Sequence, residues 1–116
     1  MTWQPSKQQL EDAALAGGLT VWETAFVGVW LTNETNAVWS WQPHLPTTQG
    51  KADLLDLTIA LGMEVTWNFY PTNRVTVVIS MTASFSISFD NDKHAALARA
   101  VIEVAAQVGA KMEARG

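Results

Sequence analysis

The sequence specifies an α+β protein, a mostly antiparallel sheet of about five strands in two hairpins with three helices. Three observations support this. Every odd position from Val75 to Phe89 is apolar, while six of the seven even positions between them are Ser or Thr. That period of two is the signature of a β-structure with one apolar and one hydroxyl-rich face. A second β-rich stretch from Leu19 to Gln42 is interrupted by the turn formers Asn33-Glu34-Thr35-Asn36. Three segments with helical spacing, each with a stop or start signal, complete the pattern.

The first helix runs from Ser6 to about Ala16. Ser6 is a capping residue and Gln9 stands three residues on, the spacing of a capping box. Gly17 and Gly18 end the helix, since the left-handed turn that closes helices favours glycine. Leu19 to Thr32 and Ala37 to Gln42 then form a hairpin. With Thr32 facing Ala37 across the four-residue turn, Trp30 lies opposite Trp39 and Gly28 opposite Trp41, a small residue making room for a large ring. Trp22 and Trp30 are expected in the core.

Residues 43–50 are a loop, marked by Pro43 and Pro46. Lys51 to Leu61 reads as the second helix, closed by Gly62. Its stripe is Leu54, Leu57, Thr58 and Leu61, widened by Leu55 and Ile59. Met63 to Tyr70 returns to β-structure before the turn Pro71-Thr72-Asn73. The last helix is capped in Asp90-Asn91-Asp92 and runs to about Glu113. Leu97, Val101, Val104, Val108 and Met112 form its stripe, and flanking alanines permit close approach to a sheet.

Fifteen residues in one extended strand would span roughly 50 Å, long for a domain of this size. Val75 to Phe89 is therefore expected to fold back. A two-residue turn would scatter the apolar set over both faces. A three-residue tip at Met81-Thr82-Ala83 keeps parity and pairs Ile79 with Phe85, Val77 with Ile87 and Val75 with Phe89. The alternative is one long strand pairing with another protomer. The hydroxyl face is either the wet side of the sheet or a seat for the Ala-rich helix.

The chain has 116 residues, 48% of them hydrophobic and 16% charged, which suits one domain over 1–116. It has no apolar run of the ~18 residues a membrane span needs, and Met1 to Pro5 lacks the features of a signal peptide. A soluble, cytoplasmic protein is expected. Zero cysteines exclude disulfides and thiolate metal sites within this chain. Seven Lys/Arg against eleven Asp/Glu, net −4, disfavour a nucleic-acid polymer, whose binding rests on phosphate neutralisation.

Trp41-Gln42-Pro43, followed by Ala52-Asp53-Leu54-Leu55 and Leu61-Gly62-Met63-Glu64-Val65, resembles a segment of small phage proteins in which a W-x-P stretch precedes a short helix and an LG turn into a strand. The closing run, Phe89-Asp90-Asn91-Asp92-Lys93 and then Ala95-Ala96, Arg99-Ala100-Val101, Ala105-Ala106 and Gly109, is similar to their last helix. These are the proteins grouped as the phage ABA-sandwich domain. The resemblance covers about residues 39 to 113. It implies a phage origin, hence a host cytoplasm, and an α/β/α sandwich-like layering, and it carries over no catalytic residues. The Leu19 to Gln42 hairpin and the unbroken Ser/Thr ladder are more regular than that family's pattern.

Residue chemistry points away from an enzyme. Asp90, Asp92 and His94 have spacing compatible with a cation, yet an aspartate there serves as a helix cap. Asp53 and Asp56 are read as a solvated first turn beside Lys51, with no third group to make them an acid and base pair. The serines of the ladder lack a nucleophile elbow. No metal or cofactor is expected.

A binding role fits better. Trp39, Trp41 and His44 lead into the Pro-bounded loop, where an aromatic surface suits a partner hot spot. Trp67 adds a further aromatic. Lys51, at a helix N-terminus, and Arg74, at the Pro71 turn, offer positive contacts for a small anion. The expected function is a phage-encoded accessory protein that binds and inhibits a host component, such as a part of anti-phage defence. The alternatives are a protein that sequesters a nucleotide signal at an oligomer interface, and a minor structural protein of the virion. Unpaired strand edges favour a homo-oligomer.

Overall fold

The computed structural model describes residues 3–22, 28–35, 37–80 and 82–115. They form three helices and two three-stranded antiparallel sheets. The α+β class holds, with helix and sheet layers stacked in a manner consistent with an α/β/α sandwich. The strands number six and divide between two sheets.

Helix α1, Lys7–Ala16, begins as its sequence dictates. The Gln9 backbone N–H donates to Ser6 Oγ at 3.1 Å, and Gln9 Oε1 accepts from the Ser6 N–H at 3.0 Å. At the other end the Gly18 N–H donates to Leu15 O and the Leu19 N–H to Ala14 O. This double closure requires a positive φ at Gly18, which is 75°. Leu10, Ala13 and Ala14 are buried against α3.

The first sheet consists of β1 (Thr20–Trp22), β2 (Trp30–Thr32) and β3 (Val38–Ser40), in that order. Of the strand expected from Leu19 to Thr32, residues 23–27 lie outside the described residues. The expected register is off by one: Thr32 pairs with Val38, Leu31 with Trp39 and Trp30 with Ser40. Asn33 is the reason. Its Oδ1 accepts hydrogen bonds from the Thr35 N–H, the Thr35 hydroxyl and the Ala37 N–H, so the loop takes in Ala37. A slip of one exchanges faces. Val21, Leu31 and Trp39 form the inner row, while Trp22 and Trp30 meet edge to face at 6.5 Å on the outer one. Trp22 is 37% exposed and Trp30 half-buried, so neither is the core residue expected.

Helix α2, Thr48–Ala60, starts three residues before the expected Lys51. Thr47 is its cap, with Thr47 Oγ1 accepting from the Gly50 N–H at 3.0 Å. Lys51 therefore stands one turn inside the helix. Leu54 and Leu57 are buried, but Leu55 and Ile59, which the sequence placed on the apolar stripe, are 59% and 68% exposed. Gly62 and Met63 close the helix with the same double turn as α1, their N–H groups donating to Ile59 O and Thr58 O.

The second sheet is β4 (Glu64–Asn68), β5 (Arg74–Ile79) and β6 (Ala83–Ser88). The expected β-segment from Met63 to Tyr70 is shorter in the structure, and Phe69 and Tyr70 lie beyond its end. β5 and β6 are the expected hairpin, with no long strand. Its tip sits one residue earlier than expected: Ile79 pairs with Ala83, Val77 with Phe85 and Val75 with Ile87. The tip residues are Ser80, Met81 and Thr82, of which Met81 lies outside the described residues. The turn is closed by the Thr82 N–H donating to Ile79 O at 2.7 Å. Moving the tip by one residue shifts each pair by two positions, so every side chain keeps its face.

The apolar face, with Val75 and Val77 fully buried, packs on α3, Lys93–Arg115. Burying each valine contributes about 1.5–3 kcal/mol. The Ala-rich helix thus sits on the apolar side, and the hydroxyl side is not its seat: Thr76 and Ser86 bond to each other at 3.0 Å, and Ser84 and Ser88 are exposed. Asp92 caps α3 by accepting from the Ala95 N–H at 2.9 Å. Ala100, Val101, Ile102, Val104 and Ala105 are all fully buried, because α3 is covered by α1 as well as by the sheet. Met112, expected on the buried stripe, is 44% exposed. Among the described residues no helix is long and apolar enough to cross a membrane.

Candidate functional site

Helix α2 separates two concavities, and its sequence lines both. Gln49, Asp53, Asp56, Leu57 and Ala60 recur at helical spacing on one face, and Lys51, Leu54, Leu55 and Thr58 on another.

The first face closes a pocket of about 260 Å³ against the inner row of the first sheet. Leu31, Trp39 and Trp41 form its opposite wall, and Gly17 and Leu19 enter from the end of α1. Trp41 is fixed in place: it is 2% exposed, and its backbone N–H donates to Val29 O at 2.9 Å. Asp53 is 7% exposed, contrary to the solvated position expected for it. Gln49 Nε2 donates to Asp53 Oδ1 at 2.8 Å, but buried Oδ2 has no hydrogen-bond partner of sound geometry among the described residues. Burial pushes the Asp53 carboxyl above its ordinary value, and the charge of Asp56 adds to this. The Gln49 hydrogen bond and the Gln42 backbone act in the opposite direction.

The second face of α2 borders a groove of about 440 Å³ shared with β4 and α3. Lys51, Leu55, Val65, Trp67, His94 and Leu97 are among its walls. Trp67 packs edge to face on Phe89 at 5.3 Å, and Phe69 meets the same ring at 5.8 Å. The Lys93 ammonium lies 5.3 Å from the Phe69 ring. Phe69 is 59% exposed and Tyr70 90%. Leu55, in the groove wall, and Ile59, one turn further along α2, are exposed as well.

The expected site residues are therefore dispersed. Trp39 and Trp41 share the first pocket, and Lys51 and Trp67 the groove. His44 lines a third cavity of about 200 Å³ with Trp3, Asp92 and His94. Burial lowers the His44 pKa from 6.5. Arg74 is exposed on β5, where its Nε donates to Ser86 Oγ at 2.7 Å. Lys51 and Arg74 do not converge on one anion site. Sequence reasoning considered Asp53 and Asp56 and set them aside as solvated, named Leu55 only as part of the buried stripe, and passed over Phe69. The spacing of Asp53, Leu55 and Asp56 on α2 was visible, but the surroundings of all four come from chain segments distant in sequence. Comparison of the chain with protein-family models, curated proteins and solved structures finds no match.

Proposed function

We propose that the protein is a small, non-enzymatic accessory protein, phage-encoded like the ABA-sandwich proteins its sequence resembles, that binds and inhibits a host protein. A component of anti-phage defence is the target that suits such a protein. The observation that carries the proposal is the exposure of large apolar side chains on α2 and just after β4. Leu55, Ile59, Phe69 and Tyr70 are large, apolar or aromatic, and more than half exposed. Exposed aromatics flanking a preformed concavity are the usual composition of a protein-binding hot spot. Lys51 and Lys93 supply a charged rim.

Tagged protein and a Leu55→Asp/Phe69→Ser variant, both incubated with host lysate and washed alike, test the proposal. A host protein retained by the wild type and lost from the folded variant supports it. Equal recovery by the two, or recovery of the bait alone across several hosts, overturns it. Homo-oligomers remain compatible with this role, since β4 and β6 are the edges of the second sheet.

A further inference from the structure

The two edges of the second sheet are treated differently. Along β6 the Ser84 carbonyl accepts from Gln107 Nε2 at 3.3 Å, and Lys111 Nζ donates to the Thr82 carbonyl at 2.8 Å, so side chains of α3 cover that edge and its tip. The edge at β4 has no such cover among the described residues. Parity identifies its free groups. The Phe89 N–H donates to Asn73 O at 3.2 Å, and bonded pairs in an antiparallel ladder recur at every second residue. Val75 and Val77 therefore direct their peptide groups to Ile87 and Phe85 of β6. Arg74, Thr76 and Val78 turn theirs to Asn68, Thr66 and Glu64 of β4. Val65 and Trp67 are left with an N–H and a C=O each, aimed off the open edge. The side chains of the same two residues line the groove of about 440 Å³ between α2 and α3. A strand laid beside β4 would bond to this main chain, and its residues facing Val65 and Trp67 would enter the groove, because facing side chains share a face.

We propose that the open edge of β4 takes up an extended, acidic segment of a partner protein as a fourth, antiparallel strand of the second sheet. Two large apolar side chains, two residues apart, seat in the groove, and a carboxylate meets Lys51. The main-chain bonds require an extended peptide. The apolar wall, with Leu54, Leu55 and Leu97 beside Val65 and Trp67, requires the alternate apolar residues. The charge follows from the lining: Lys51 and His94 are its titratable residues, and no carboxylate is among them. Glu64, on the same strand, alternates to the opposite, exposed face. In a chain of net charge −4, a basic lining selects an acidic segment. This assignment rests on the host-binding reading and specifies what the host protein presents.

A yeast-displayed library of random dodecapeptides, panned against the intact protein, supplies the probe. Enrichment of sequences with large apolar residues at alternate positions and Asp or Glu beside them is expected. An enriched peptide, once synthesised, should slow hydrogen exchange at the Val65 and Trp67 amides and leave Thr66, already bonded to β5, unchanged. Val65→Pro removes an edge-facing N–H without touching the ladder to β5, a position where proline is tolerated. It should weaken the peptide about tenfold, the effect of leaving one acceptor unsatisfied. Lys51→Glu, at an exposed residue, should weaken it about as much and serves if the proline variant does not fold. Enrichment without alternation, unchanged exchange at the two amides, or unchanged affinity in both variants overturns the assignment. Slow exchange of both amides in the free protein, with a dimer mass by light scattering, gives the edge to a second copy and also overturns it. A host protein lost from the Leu55→Asp/Phe69→Ser variant but retained by Val65→Pro and Lys51→Glu overturns the added strand alone and leaves the host-binding reading standing. A peptide that protects the two amides of a protein recovering no host protein supports the strand site and removes the host-binding reading.

Discussion

Gly109 lies directly against the backbone carbonyl of Asp12, so that a methyl group added to its Cα would overlap that peptide. The contact sets the distance between α3 and α1, and both partners are backbone, which cannot rotate away as a side chain can. Gln9 Nε2, donating to Glu103 Oε1 at 3.1 Å, fixes the same pair of helices nearly two turns earlier along α3.

Gly109→Ala should consequently destabilise the fold, although alanine is the better helix former by about 1 kcal/mol. Overpacking a tight interface costs about 1–3 kcal/mol, and a clash with backbone falls at or above the upper end. The urea midpoint should fall, with the slope of the transition unchanged. A midpoint equal to or above that of the wild type would show that the helices can separate freely.

Two neighbouring leucines of α2 offer a sharper contrast. Leu57 is 2% exposed and its Cδ1 lies against Gly17, whereas Leu55 is 59% exposed. Leu57→Ala should cost about 2–5 kcal/mol through a cavity, and Leu55→Ala about 0.5 kcal/mol or less. Denaturant titrations of the two variants side by side give the comparison. Similar losses would mean that Leu55 is covered in solution, by a second copy of the chain or otherwise.

Phe89 is the ring on which Trp67 and Phe69 converge. It is 6% exposed, so Phe89→Ala should cost about 3–5 kcal/mol and loosen the end of β4. Hydrogen exchange of the β4 amides reports the second effect. Protection there unchanged from that of the wild type would contradict the proposed role of Phe89 in holding the groove's aromatic wall.

The parts of this fold that sequence disclosed are those governed by local rules. Ser6 with Gln9, Gly18 and Gly62 are complete signals within a turn or two, and each acts as its spacing demands. The β5–β6 hairpin was legible because parity ties the apolar face to the tip length, even though the tip itself moved by one residue. The first hairpin was not, because Asn33 makes three hydrogen bonds that draw Ala37 into the loop, and no hydrophobic pattern records them. Lys51 was misplaced for a related reason. Thr47, just after Pro46, is an earlier cap, and its hydroxyl bond to Gly50 was readable from spacing alone. The surroundings of Asp53 were beyond reach, since its pocket needs β2, β3 and the end of α1 to arrive together.

Asp53 also predicts how stability varies with pH. Burial, the largest cause, raises its folded pKa above the ordinary 3.8, with Asp56 adding to the shift. Below 3.8 the carboxyl is neutral in both the folded and unfolded chain and makes no titration contribution. As pH rises through 3.8 the unfolded chain loses this proton first, which favours unfolding, and the penalty is complete above the raised folded value. Asp53→Asn preserves the shape and the oxygen that accepts from Gln49, but it does not titrate. The variant should therefore be more stable than the wild type at neutral pH, and the difference should shrink as pH falls through this window. The half-buried His44, whose lowered pKa makes it destabilising on the acid side of 6.5, titrates in both proteins and cancels in the comparison. Urea midpoints of the pair at neutral pH and near pH 3.8 measure the effect. A difference of opposite sign, or one that does not narrow in acid, would mean that the Asp53 carboxylate is stabilised in the folded chain by a donor already in place.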